Sequence, residues 1–309
     1  MYDKNKKGID YDLLKETARN ITRFLEDVTE VSEAPLDHIN KMTKGLRRLG
    51  GGDLGFADLL VELNIPYGSK ESIELSEYLS WFINFHSWEM SFELAKERGA
   101  FSFYDKDKAN LDVIENVLYN SPYGKSSISP EDLREIGVRN VSVTSLAPTG
   151  SIAIIGGVNS GIEPFFALAY KRNITEGVGN IATDSIFETN PALERKIKEF
   201  GYSKEDSIKI LEYASVHGSL SGCDLVSEEF QSIFKTANEI PWKDHVDIQA
   251  AWQKYTSNAI SKTINLPESA TVNDIYNIYL YMWKAGLKGG TIYRDGSKSF
   301  QILEKPSDK

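Results

Sequence analysis

A chain of 309 residues with 41% apolar content can bury a sizeable core in one large or two ordinary domains, which excludes global disorder. Thirty-five basic against forty-five acidic residues leave a net charge of −10, which excludes a general attraction for nucleic-acid polymers. One cysteine, Cys223, excludes an internal disulfide framework and suits a reducing cytosol, and four scattered histidines (His38, His86, His217, His245) argue against a structural zinc site.

Met1 to Gly8 carries charges with no apolar core behind them, so no signal peptide is expected. From Ile9 to Val31, apolar residues fall at Leu13, Leu14, Ala18, Ile21, Phe24, Leu25 and Val28, the spacing of an amphipathic helix. Pro35 restarts the chain, and Leu36, Ile39, Met42 and Leu46 mark a second helix ending before Gly50-Gly51-Gly52. Asp53 reads as the N-cap of a helix over Phe56 to Val61. Ser69 opens a long helix to about Arg98, stopped by Gly99; its aromatic residues (Tyr78, Trp81, Phe82, Phe85, Trp88, Phe92) read as core. Phe101 to Leu133 reads as a variable surface segment with turns at Ser121-Pro122 and Ser129-Pro130.

Val141 to Leu146 alternates apolar and hydroxyl residues, as a strand does. Ala147-Pro148-Thr149-Gly150-Ser151-Ile152 follows. Pro148 suits a first helical turn, Gly150 lets a ligand approach the backbone, and Ile152 to Ile155 continues as a short helix ended by Gly156-Gly157. A strand turning into a helix presents free N–H donors at a positive helix end, a place for a phosphate. No Lys follows Gly150, so this is not a P-loop. Locally the same spacing also serves as a plain helix cap.

Asn173 to Asn190 is polar and Gly-punctuated and reads as an exposed loop. Helices are expected over Pro191 to Phe200, Asp206 to Val216, Val246 to Asn258 and Ser269 to Ala285, with strands over Ala259 to Pro267 and Thr291 to Arg294. Strand–helix–strand order in this half points to parallel βα units, whose ligand sites lie where strands end and helices begin. No internal repeat occurs.

Ala147-Pro148-Thr149-Gly150-Ser151-Ile152, Asn159-Ser160-Gly161-Ile162-Glu163-Pro164 and Phe166 to Arg172 together resemble the large catalytic chain of ribonucleotide reductases, most of all the adenosylcobalamin-dependent class. Arg47 to Leu60, Gln253 to Pro267 and Gly289 to Ser297 resemble the same family. The resemblance implies an α/β fold, the second half of a ten-stranded barrel preceded by a helical segment. Residues 1–138 would form the mainly helical part and residues 139–309 the strand–helix half-barrel, as one continuous domain. It also implies that Ala147, Pro148, Thr149, Gly150, Ser151 and Ile152 hold the phosphates of a ribonucleotide, with Glu163 near the substrate pocket.

In the family a thiyl radical on a loop-tip Cys removes the ribose 3′-hydrogen, a Glu acts as base, an Asn holds the ribose and a cysteine pair supplies electrons. The family's Asn-Pro-Cys-Gly-Glu motif is absent, and Cys223 stands in Ser-Gly-Cys-Asp, so no catalytic or metal-ligating residue is expected in this chain and Cys223 reads as a small buried residue. One tyrosine, Tyr293 beside Arg294, stands where radical-relaying relatives carry a pair, which favours the cobalamin type. The expectation is one piece of a split, cytoplasmic reductase, sharing adenosylcobalamin with a separate N-terminal piece that bears the radical Cys and through which a homo-oligomer could form. The alternative is an inert nucleotide-binding or scaffolding chain. Neither uses a membrane.

Overall fold

The computed structural model describes residues 2, 3, 5, 7–175, 182–297, 303 and 304. Two short strands, β1 (Tyr2–Asp3) and β2 (Gly8–Ile9), lead into α1 (Tyr11–Val31), where the Asp10 side chain accepts the Leu13 N–H at 2.9 Å. Leu14, Ala18, Thr22 and Glu26 are the buried line of α1. Much of the apolar stripe expected to face the core does not: Leu13, Phe24 and Val28 remain 48%, 64% and 40% exposed. α2 (Asp37–Leu46) follows and ends at Arg47 in left-handed backbone.

α3 (Phe56–Glu62) begins from Gly55, whose φ of 79° only glycine adopts readily. The expected cap at Asp53 is therefore corrected. α4 (Lys70–Arg98) is capped by Ser69 as expected. It is buried on most sides, with Trp81, Phe85, Trp88 and Phe92 in the core. The 101–133 segment is not a surface insertion. α5 (Asp112–Leu118) and α6 (Pro130–Ile136) bury Leu111, Ile114, Val117, Leu118 and Leu133 against that aromatic face. Turn residues hid five core positions.

The expected strand at Val141 to Leu146 appears as irregular pairing. Gly51 bridges Thr144 and Leu146 bridges Ile260, both parallel. The Leu49 N–H donates to Ser142 O, Ser145 N–H to Gly51 O and Ser261 N–H to Leu146 O, each at 2.8–2.9 Å. The chain then enters α7 (Gly150–Gly156).

Asn173 to Asn190 is corrected too. β3 (Ala169–Thr175) and β4 (Ala182–Thr189) pair antiparallel, Ala169 opposite Thr189, while residues 176–181 of the expected loop lie outside the described residues. Helices α8 (Pro191–Glu199), α9 (Lys204–His217), α10 (Glu228–Ile233) and α11 (Trp242–Gln253) follow. α10 was not expected, and α11 ends before the predicted Asn258. β5 (Thr263–Leu266), α12 (Val272–Lys284) and β6 (Thr291–Arg294) form the expected parallel βαβ unit, and β7 (Leu303–Glu304) joins β3.

Parallel pairing thus runs in the order 49–51, 142–146, 260–266, 291–294. Among the described residues this is an open arc and not a closed barrel. Ile260, Lys262, Ile264 and Leu266 alternate onto its buried face. Gly50, Ser145, Ala259 and Ser261 line an open concavity of about 570 Å³ on the other face. Among the described residues no helix is long and apolar enough to cross a membrane.

Candidate nucleotide-phosphate site

At the end of the 142–146 pairing the backbone turns sharply. Thr149 is the residue that makes the turn, at φ 51° and ψ 17°. A β-branched residue in the left-handed region is strained and persists only where neighbours hold it. Here the Thr149 Oγ1 accepts the Gly161 N–H at 2.9 Å, and keeps its own hydrogen to donate. α7 starts at Gly150, so Pro148 lies ahead of the helix and not in its first turn as the sequence suggests.

Among the described residues no side chain caps α7. The first helical bond joins the Ala153 N–H to Thr149 O at 2.9 Å, and among the described residues the N–H groups of Gly150, Ser151 and Ile152 have no acceptor. Gly150 and Ser151 are exposed, and a Cβ built on Gly150 would meet nothing within 4 Å. All three residues are exposed, just beyond the end of the parallel-paired segment 142–146. That arrangement can receive an anion.

Glu163 is brought to this loop by the return segment 159–163, but its carboxylate is already engaged. Oε1 accepts the Thr263 N–H at 2.6 Å and Oε2 accepts from Lys262 Nζ at 2.9 Å. A side chain so occupied holds backbone in place and is a poor anion ligand by charge. Lys262 and His245, which sequence reading left without a role, complete the cluster, both fully buried. The signal for Lys262 was present: a lysine on the buried face of an alternating strand requires a partner.

His245 Nε2 lies 3.0 Å from Ala237 O and Nδ1 lies 3.1 Å from Lys262 Nζ. The consistent assignment is Nε2–H donating to the carbonyl and Nδ1 accepting from the ammonium. Burial, aided by the Lys262 charge, pushes the imidazole down to about 3. Burial also lowers Lys262, which the Glu163 carboxylate partly offsets.

A pH dependence follows. Between the folded value near 3 and the ordinary value near 6.5 the unfolded chain binds the extra proton, so stability falls as pH drops through that window. Asp53, raised from 3.8 to about 6 by desolvation, gives the opposite slope between those values. Comparing wild type with His245→Gln cancels the Asp53 contribution. Urea unfolding at pH 7 and pH 5 is expected to show the wild type losing roughly 2 kcal/mol more than the variant on acidification. Parallel losses would show that His245 titrates normally.

Beside α7 lies a cleft of about 530 Å³, walled by Leu14, Phe56, Leu79, Ile83 and Trp252, with Gly156 and Val158 on the α7 side and Asp53 at its edge. Cys223 is 1% exposed, packed among the side chains that include Leu220 and Phe230, consistent with the small buried residue expected. Among the described residues no group of three or more His, Cys, Asp or Glu side chains could hold a metal ion.

Residues 1–293 match the family described as ribonucleotide reductase, barrel domain. A vitamin B12-dependent ribonucleoside-diphosphate reductase of Thermoplasma acidophilum is 37% identical over 98% of this chain and 36% of its own length. A protein of the same name from Mycobacterium tuberculosis is 36% identical over 97% of this chain and 39% of its length. Among solved structures, the Actinobacillus ureae class Id ribonucleotide reductase alpha subunit superimposes with a TM-score of 0.67 at 25% identity, over 91% of this chain and 46% of that one. The chain therefore spans 36% to 46% of the length of these proteins.

Proposed function

Because the chain belongs to the ribonucleotide reductase barrel-domain family, we propose that it supplies the substrate-phosphate loop of a reductase whose radical-bearing residues lie on another piece. Ala147, Pro148, Thr149, Gly150, Ser151 and Ile152 form the loop. The observation that carries this reading is the set of three N–H groups, at the exposed residues Gly150, Ser151 and Ile152, that have no acceptor among the described residues, in a motif resembling the family's. These donors fix the diphosphate, and with it the ribose, at the strand ends. Glu163 supports the loop.

The chemistry, replacement of the ribose 2′-OH by hydrogen, needs a thiyl radical, a base and a reductant. Cys223 cannot serve: it is buried in the core. A separate N-terminal piece carrying the radical Cys, a Glu and an Asn would provide them. Two features support such a partner: the open arc of strands with its concavity, and the uncovered apolar residues of α1. The reading of residues 1–138 and 139–309 as one continuous domain is supported by the bonds of α1 Glu26 to Arg139 and Asn140.

The named relatives are vitamin B12-dependent, and we take adenosylcobalamin as the radical source of the assembled enzyme. The open concavity, lined by short side chains such as Gly50, Ser145, Ala259 and Ser261, leaves room for a nucleoside-sized group.

The test is to purify this chain with a separately produced N-terminal piece and assay deoxynucleotide formation with adenosylcobalamin and a thiol reductant. The mixture is expected to turn over and neither piece alone to do so. A well-formed complex that binds ribonucleotide without turnover would instead establish an inert nucleotide-binding chain.

A further inference from the structure

Lys262 has all three ammonium hydrogens engaged: by Glu163 Oε2 at 2.9 Å, by His245 Nδ1 at 3.1 Å and by the Thr263 carbonyl at 3.3 Å. Its Nζ also lies 5.7 Å above the Tyr67 ring. The partners are themselves held. His245 is fixed by Ala237 O, and Glu163 by the Thr263 N–H.

From Glu163 the bonding runs back to the loop. Asn159 Nδ2 donates to Glu163 O at 2.6 Å and the Asn159 N–H donates to Asp58 Oδ2 at 2.7 Å. The Tyr67 hydroxyl donates to Ile162 O at 2.7 Å, and the Gly161 N–H donates to Thr149 Oγ1. Segment 159–163 is thus pinned at Asn159, Gly161, Ile162 and Glu163, and its Gly161 holds the strained Thr149. Thr149 in turn sets where the free N–H groups point.

A fully buried ammonium is an expensive way to fill space, since apolar side chains of similar volume often serve stability as well or better. What the charge adds is direction. We propose that Lys262 is a positioning residue. Its ion pair with Glu163 fixes segment 159–163, which holds Thr149 in left-handed backbone and aims the donors of Gly150, Ser151 and Ile152. The proposal rests on the reading of that loop as the diphosphate site. It assigns Glu163 to holding the loop and not to touching substrate.

The experiment compares the full-length chain with Lys262→Met and with Glu163→Gln/Lys262→Met. Two measurements are made on each: hydrogen exchange by peptide, and titration with a ribonucleoside diphosphate and with the matching nucleoside. In Lys262→Met the stranded carboxylate releases the segment. Exchange over 149–163 is expected to quicken at least tenfold while that of α4 and α11 stays at the wild-type rate. Diphosphate affinity should fall tenfold or more, with nucleoside affinity within twofold. The double variant keeps an oxygen for the Thr263 N–H and removes the unpaired charge, so exchange and diphosphate affinity should return to within threefold of wild type. Wild-type exchange over 149–163 in Lys262→Met overturns the proposal, as does exchange that quickens equally everywhere or unfolding of both variants. A wild-type chain that ignores the diphosphate overturns the phosphate reading instead, and leaves the exchange comparison to decide whether Lys262 sets the loop.

Discussion

Glu26→Ala is expected to lower the unfolding free energy by about 3–5 kcal/mol, the range for breaking a buried ion pair from one side. Glu26 is 0% exposed on the inner line of α1. Its Oε1 accepts from Arg47 Nε at 2.7 Å and from Arg139 Nε at 2.7 Å, and its Oε2 accepts from Asn140 Nδ2 at 2.7 Å. One carboxylate therefore joins α1, the end of α2 and the entry to the central strand. Removing it leaves two guanidiniums facing each other in a poorly hydrated space. Arg47 keeps Glu30, and Arg139 keeps the carbonyls of Arg98 and Gly99, but Glu30 is mostly exposed and its pairing is screened by solvent.

The loss should also be felt locally. Arg47 adopts φ 48°, unfavourable for a residue with a Cβ, and the Glu26 bonds help hold it there. The pairing of Leu49 and Gly51 with 142–145 begins two residues later. Chemical unfolding of Glu26→Ala and Glu26→Gln at neutral pH measures the effect. The Gln variant should lose less, since it keeps shape and can still accept from one arginine. A loss below about 1 kcal/mol for the Ala variant would mean that water enters and solvates both guanidiniums.

How much of this could be read from the chain depends on range. Helices with caps and period written into contiguous residues, such as Ser69 to Arg98, were legible, and so was the βαβ order after Ala259. The place of the turn at Ala147 to Ile152 was legible because Pro, Gly and a following apolar run are local signals, but its form was not: Thr149 makes it, and Pro148 lies ahead of the helix. The fate of Glu26 was not. It continues the i+4 line of Leu14, Ala18 and Thr22, and only the arrival of Arg47 and Arg139 makes a charge tolerable there. Segment 101–133 was misread for the opposite reason: its turn residues are local and loud, while its core contacts are with the distant α4. Polar composition likewise hid β3 and β4, whose pairing with each other is what makes them strands.

The phosphate loop gives the largest effect expected on binding, and Gly150→Asp separates it from folding. Gly150 occupies the first turn of α7 without left-handed backbone, and a Cβ there meets no atom within 4 Å. The substitution should therefore fold. It should even stabilise α7 slightly, because an acidic side chain at a helix start gains about 0.3–1 kcal/mol and glycine is a poor helical residue. The same carboxylate stands where a phosphate would, beside the N–H groups of Ser151 and Ile152. Like-charge repulsion and competition for those donors should weaken a ribonucleoside diphosphate by roughly 30-fold or more, about 2 kcal/mol. Gly150→Ala places only a methyl group in the approach path and should lie between the two. Calorimetric titration together with thermal melting reads both signs at once. Stability held or raised while diphosphate affinity collapses is the signature of an anion site built from backbone. Equal affinity in wild type and Gly150→Asp would mean that the nucleotide's charge is met elsewhere, and that the bare donors of α7 face only solvent.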